Sequence, residues 1–347
     1  MKTLVLGNSL EVFNGIKEIY NQDKSSEIIL FATEGLMPYD RALLPAFIAG
    51  LTTEKELFKK AQELLLDYHL ELITNEAIAR ISVKRRYLTT DQKKQISYEK
   101  LVLVDTGSLI LPGIKGLQKS GVFDAWLLSS MKALRKDINF LDSFMIPVTN
   151  IQGLNMAFAL CQLQKEVTVL SSTPGLLPDF FDEETGLLLK QILEENKIRV
   201  LSESVIEEIL GDAQVKAVKL KSGKVLACDS VIIDEARMDL RMLSDPQLEE
   251  NDKICLEACF KPPVMPFMPE TFGLNVMNGF FAGWTKLLEG GREYLKYSGP
   301  PNTYKKIFAK DDHLSGLVLF NAPEDNERLL GVLSNQEAIT GKEEAIL

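Results

Sequence analysis

Histidine and cysteine are scarce in this chain of 347 residues, with two of the first and four of the second. His69 and His313 are too few for a histidine-based metal centre, so no metal site is expected. Cys161, Cys228, Cys255 and Cys259 form no C-x-x-C pair, which argues against a redox-active dithiol or a zinc ribbon. Cys255 and Cys259 have the spacing to share one helix face, but buried or incidental thiols are the default reading. No apolar run approaches the roughly 18–20 residues of a membrane span. Residues 2–6 run straight into a turn rather than into the apolar core of a signal peptide. The expectation is a protein of a reducing cytosol with no membrane association. Basic clusters are also missing: Lys84–Arg86 is the longest, and the net charge is −10, which argues against nucleic acid as a partner. With 46% hydrophobic and 25% charged residues, the chain is ordinary for a globular protein. Its length suits two or three domains.

What is present is a duplicated unit. KTLVLGNSLEVFNGIKEIY starts at Lys2 and SFMIPVTNIQGLNMAFALCQLQKEVTVL starts at Ser143. Each has an apolar strand, a tight turn and an amphipathic helix, and each leads to a further apolar strand. This is the pattern of a dinucleotide-binding unit, whose turn wants G-x-G-x-x-G. The first glycine makes the turn, the second lets backbone approach the pyrophosphate, and the third lets helix pack on strand. The first copy keeps Gly7 but has Ser9 and Val12 at the other two places; the second keeps Gly153 alone. A branched side chain at Val12 is expected to cost about 1–3 kcal/mol if nothing adjusts. The blander reading of Gly7, Gly107 and Gly153 is a strand-to-helix turn and nothing more.

Around these units the pattern reads as α/β. Strands are expected at 2–6 and 27–31, and a helix after Thr53 as N-cap. Short strands flank a turn at Asp91–Lys94, and LVLVDTG returns from Leu101 to the sheet. DEETGLLLKQILEENK reads as a helix with acids at its start and a stripe of Leu187, Leu188 and Ile192. Two strands across Asp311-Asp312 and a final helix close the chain. The expected division is 1–113 with 236–265 as one nucleotide-binding domain, 114–235 as the second, and 266–347 as a small α+β domain.

Certain segments, in this order, resemble the pyridine nucleotide-disulfide oxidoreductase superfamily, and most nearly the flavin modules of NADH-dependent nitrite reductases and rubredoxin/ferredoxin reductase-like proteins. They are PYDRALLPAFIAG (Pro38–Gly50), DTGS (Asp105–Ser108) followed by LPGIKGL, KEVTVL with the helix of residues 182–197, VKAVKLKSGKVLACDSVII and YKKIFAKDDHLSGLVLF. The resemblance implies two Rossmann-like domains of the FAD/NAD(P)-binding type plus a C-terminal α+β domain. It implies FAD in the first unit, NAD(P)H in the second, and electrons handed to a partner, with the flavin carrying the chemistry. Carried over residue by residue, the FAD contacts would be Gly7, Ser9, Arg41, Thr106 and Gly107. Glu34 would stand in for the ribose-binding acid where Thr33 occupies the usual place. Gly153 would serve the second nucleotide.

The departures from that family cluster at the cofactors. Asp105 opens a strand-end motif that is A-T-G in relatives, and an acid there disfavours a nearby pyrophosphate. No A-G-D motif occurs between Ile233 and Phe272, and Ser171-Ser172 stand where the second ribose needs an acid. No catalytic residue is expected, since no nucleophile, acid–base cluster or phosphate loop replaces what is lost. The reading is therefore a degenerate homologue, an accessory subunit of a redox system with FAD in question and NAD(P)H disfavoured. Two alternatives stay open: an active FAD-dependent NAD(P)H:acceptor oxidoreductase with an iron–sulfur partner, and a regulatory protein that binds another nucleotide in the old cleft.

Overall fold

The computed structural model describes residues 2–104, 109–110, 113–234, 237–238, 267–274, 277–298 and 303–342, with backbone alone at 109–110, 237–238 and 267–270. The chain divides into two compact units. The first is built on Met1–Gly113, Trp126–Lys132 and Ala236–Lys261, the second on Ile114–Ala125, Ala133–Glu235 and Pro262–Leu347.

In the first unit β1 (Lys2–Leu6), α1 (Val12–Gln22) and β2 (Glu27–Phe31) form the expected strand–helix–strand. The short α2 (Leu44–Ala49) and then α3 (Glu54–Leu66) lead to β3 (Leu70–Ile73). Thr53 is the N-cap of α3, and the Glu56 carboxylate accepts its backbone N–H at 2.7 Å, the reciprocal half of a capping box. A meander of β4 (Ile78–Ser82), β5 (Tyr87–Thr90) and β6 (Gln95–Ser97) precedes β7 (Lys100–Leu103). The parallel sheet runs β3-β2-β1-β7. Alternation along β1 covers both of its faces. Leu4 and Leu6 pack with Ile81, Leu88 and Ile96 of the meander, while Val5 packs with Val12, Phe13 and Ile16 of α1.

After β8 (Leu109–Ile110) the chain continues through β9 (Val122–Asp124), α4 (Leu128–Asp137), β10 (Ser143–Pro147), α5 (Ile151–Gln162), β11 (Glu166–Leu170), α6 (Glu183–Glu195) and β12 (Arg199–Leu201). An antiparallel sheet of β13 (Ile206–Leu210), β14 (Ala217–Leu220) and β15 (Val225–Ala227) is inserted before β16 (Ser230–Ile233). The parallel order is β12-β11-β10-β16-β9. Connections leave β10 on one side and return on the other, so the order reverses between β10 and β16. Ligands of open α/β sheets bind at such a reversal, beyond the carboxyl ends of the strands.

The apolar stripe of α6 differs from the expected one. Thr185, Leu189, Ile192 and Leu193 are buried, and Leu187 is exposed. Positions 185, 189, 192 and 193 follow the helical period from one another, and Leu187 falls outside their arc. Gly186 belongs to the buried face because a Cβ there would press on the backbone of Leu176.

β17 (Arg237–Met238) pairs with β8. The last module is a five-stranded antiparallel sheet: β18 (Phe267–Phe272), β19 (Gly279–Gly283), β20 (Arg292–Ser298), β21 (Thr303–Lys310) and β22 (His313–Phe320), in the order β18-β19-β22-β21-β20. β21 and β22 join through Asp311 and Asp312, both at positive φ, as a two-residue hairpin turn requires. α7 (Pro323–Ser334) covers one face through Leu329, packed with Ile307, Leu317 and Leu319. The other face carries Phe281, Phe320 and Tyr304. Phe281 meets Phe181 edge-on at 5.4 Å, and Tyr304 stacks on Phe320 at 5.2 Å.

Candidate functional site: two nucleotide-type turns

The first turn lies between β1 and α1. The Gly7 amide donates to Phe31 O at 3.2 Å, and Ser9 forms a β-bridge with Tyr39. Val12 is fully buried in the apolar cluster below α1. The helix meets the sheet at Gly15, where a Cβ would lie 3.5 Å from Val102 Cγ1, an ordinary contact. The N-cap of α1 is Glu11, whose side chain makes no capping hydrogen bond; the Val12, Phe13 and Asn14 amides donate to the backbone carbonyls of Ser9, Leu10 and Glu11 at 3.3, 3.0 and 3.0 Å. The macrodipole of the helix places positive potential at this end.

The loop after β2 is tied to this turn by Asn8, which the sequence reading passed over. Its Nδ2 donates to Leu36 O at 2.7 Å, and its Oδ1 accepts the Glu34 amide at 2.7 Å. That brings Glu34 to the end of β2, where Arg41 Nη2 donates to Glu34 Oε1 at 2.7 Å. Each of the two side chains is 8% exposed. Tyr39, fully buried, donates its hydroxyl to Glu34 and accepts from the Leu128 amide at 3.0 Å. Burial, and then the neighbouring Glu34, push its phenol well above the ordinary value. Four candidate residues, Gly7, Ser9, Glu34 and Arg41, thus lie on or just after β1 and β2, and two of them are in direct contact. Thr106 and Gly107 lie outside the described residues.

The second turn is built differently. Asn150 is the N-cap of α5, and its Oδ1 accepts the amides of Gln152 at 2.8 Å and Gly153 at 3.3 Å. Asp234, fully buried at the end of β16, reaches across the sheet reversal. Its Oδ2 accepts the amides of Thr149 at 2.8 Å and Asn150 at 3.1 Å, and its Oδ1 accepts the Thr149 hydroxyl at 2.9 Å. Four amides that would face a phosphate here are met by two side chains of the protein itself. A Cβ on Gly153 would run into the Asp234 carboxylate, so this glycine is needed for that carboxylate. After β11, Ser171 and Thr173 direct their hydroxyls to Gly175 O at 2.7 and 2.9 Å, so both are engaged within their own loop.

A profile of the family described as pyridine nucleotide-disulphide oxidoreductase matches residues 15–234. The chain belongs to that family. The assimilatory nitrate reductase electron transfer subunit of Bacillus subtilis is 23% identical over 98% of this chain and 50% of its own length. The NAD(P)H nitrite reductase of the same organism is 30% identical over 67% of this chain and 29% of its own. The chain thus spans about half, or less, of the length of these relatives. Among solved structures, the covalent putidaredoxin reductase–putidaredoxin complex superposes with a TM-score of 0.75 at 14% identity, over 96% of this chain and 93% of that one. The expected fold class is thereby met: Rossmann-like parallel sheets with a C-terminal sheet module. Among the described residues, no helix is long and apolar enough to cross a membrane, and no group of three or more His, Cys, Asp and Glu could hold a metal ion.

Proposed function

We propose that this chain is an electron-transfer subunit of a redox system, with FAD in the first unit and no nicotinamide nucleotide of its own in the second. Residues 1–113 with 236–265 would form the flavin domain, 114–235 the altered nucleotide domain, and 266–347 a module for assembly with a redox protein. The observation that carries this reading is that the side chains of Asn150 and Asp234 take the amides of the second turn, whereas the first amides of α1 are met by backbone carbonyls of their own turn and its N-cap makes no side-chain cap.

The first unit fits the adenosine–pyrophosphate half of FAD on what it presents. Gly7 and Ser9 leave a turn with little side-chain bulk, the start of α1 can accept negative charge, and Glu34 sits at the end of β2 with Arg41 beside it. FAD would supply the redox chemistry when bound. The protein residues would hold the nucleotide, with the Arg41 guanidinium as a positive charge beside it. The names of the relatives support an electron-transfer role, since one is an electron transfer subunit and a solved neighbour is a reductase joined to its redoxin.

A second reading, a non-catalytic accessory scaffold, is favoured by the same Glu34–Arg41 pair. A Glu34 carboxylate already bonded by Arg41 and Tyr39 has less acceptor capacity for a ribose. The visible spectrum of the purified protein, with and without added FAD, separates the two. Retained flavin bands after desalting are expected of the electron-transfer subunit, and a protein that stays colourless with FAD is the scaffold.

A further inference from the structure

We infer that Asp234 is a built-in substitute for a dinucleotide phosphate, and that it closes the second nucleotide site to both NADH and NADPH. The inference concerns the second unit alone and stands whether or not flavin occupies the first.

Location is the first ground. The crevice at the sheet reversal opens between the carboxyl ends of β10 and β16, the place where such sheets receive a dinucleotide. Asp234 ends β16, and the turn it binds ends β10. Its carboxylate therefore spans the crevice at its mouth.

The second ground is hydrogen-bond accounting. A pyrophosphate on a Rossmann turn is held by the amides of the turn and the first helical residues. Here Thr149 and Asn150 donate to Asp234, while Gln152 and Gly153 donate to Asn150. An incoming phosphate would have to displace both side chains, and a displaced buried carboxylate would face it as a like charge. Asp234 is also anchored through its own backbone, because Asn150 Nδ2 donates to Asp234 O at 2.6 Å. The two residues lock each other in place.

Shape is the third ground. Gly153 keeps the third glycine position, where a working turn packs helix on strand, and the space a Cβ there would take is filled by Asp234. Glycine here serves the carboxylate rather than a nucleotide.

The test uses the full chain, NADH as probe, and two variants. NADH affinity is measured by calorimetry, and amide NMR shifts of Thr149, Asn150, Gln152 and Gly153 report whether the nucleotide reaches the turn. The parent protein is expected to show neither saturation at millimolar NADH nor shifts at these four amides. Asp234→Ala is expected to bind NADH at least tenfold more tightly, with shifts at those amides and competition by inorganic pyrophosphate. Asp234→Ser keeps an acceptor for Thr149 and removes the charge; it serves if the alanine variant does not fold. A parent protein that saturates with NADH at this turn overturns the inference. So does a folded variant, of either kind, that takes up no more NADH than the parent. Neither readout depends on flavin colour, so a failure of the flavin assignment registers separately.

Discussion

The carboxylate of Asp234 occupies the space that a side chain on Gly153 would need. Gly153→Ala therefore forces one of two changes: Asp234 leaves the turn, or α5 moves off the sheet. Overpacking of this kind costs about 1–3 kcal/mol. Loss of the carboxylate bonds to Thr149 and Asn150 would add to that. The expected outcome is a clear fall in the urea midpoint with an unchanged m-value. Unaltered stability would mean that Asp234 is not held where the structure has it.

Glu34 and Arg41 form a buried pair at 2.7 Å. Removing one partner of such a pair typically costs about 3–5 kcal/mol, because a charge is left buried without its counterion. Arg41→Ala is expected to fall in that range, and the Glu34→Gln/Arg41→Met double variant to recover much of the loss. Urea denaturation of the singles and the double reads the coupling directly. Additive losses would place the two side chains in water instead.

Tyr39 has a phenol raised chiefly by burial and next by Glu34. A raised folded value contributes stability that is complete below the unfolded value, near 10, and is lost as pH rises towards the folded one. In an ultraviolet titration Tyr39 is thus expected to ionise late, together with Tyr304, which burial also raises. In Tyr39→Phe the amplitude of that late step should fall by one tyrosine, leaving Tyr304.

Much of this architecture is legible in the sequence. β1, β2, β10 and β11 are short apolar runs bounded by turn residues, and Thr53 with Glu56 marks the start of α3. What could not be read is what depends on distant residues. Asp234 meets Thr149 across a separation of 85 positions, and no local pattern distinguishes a strand-ending acid that turns inward. Asn8 stands at an unspecified position of the G-x-G-x-x-G pattern, yet its amide ties the β2 loop to the first turn. Of the stripe expected at Leu187, Leu188 and Ile192, Ile192 is buried but Leu187 is exposed, and Thr185 and Gly186 face inward.

Lys306 is 2% exposed and lies 2.8 Å from both Asp182 and Glu184. Burial by itself raises the Asp182 carboxyl, but its bonds with Lys306 and Thr185 outweigh that and hold it below 3.8. A depressed folded value contributes stability above the unfolded value and loses it as pH falls through the folded one. Acid unfolding is accordingly expected below about pH 4, near the ordinary aspartate value. Lys306→Met should cost about 1.5–3 kcal/mol at neutral pH and shift the acid midpoint upward in a circular dichroism titration. An unmoved midpoint would show that Lys306 does not set the Asp182 carboxyl.

One open and one closed nucleotide cleft are tested together by an anaerobic reduction of the flavin-loaded protein. The expected result is that stoichiometric NADH leaves the visible flavin bands intact, while dithionite bleaches them. Rapid bleaching by NADH would contradict it, since hydride could then reach the flavin from a nicotinamide bound to this chain.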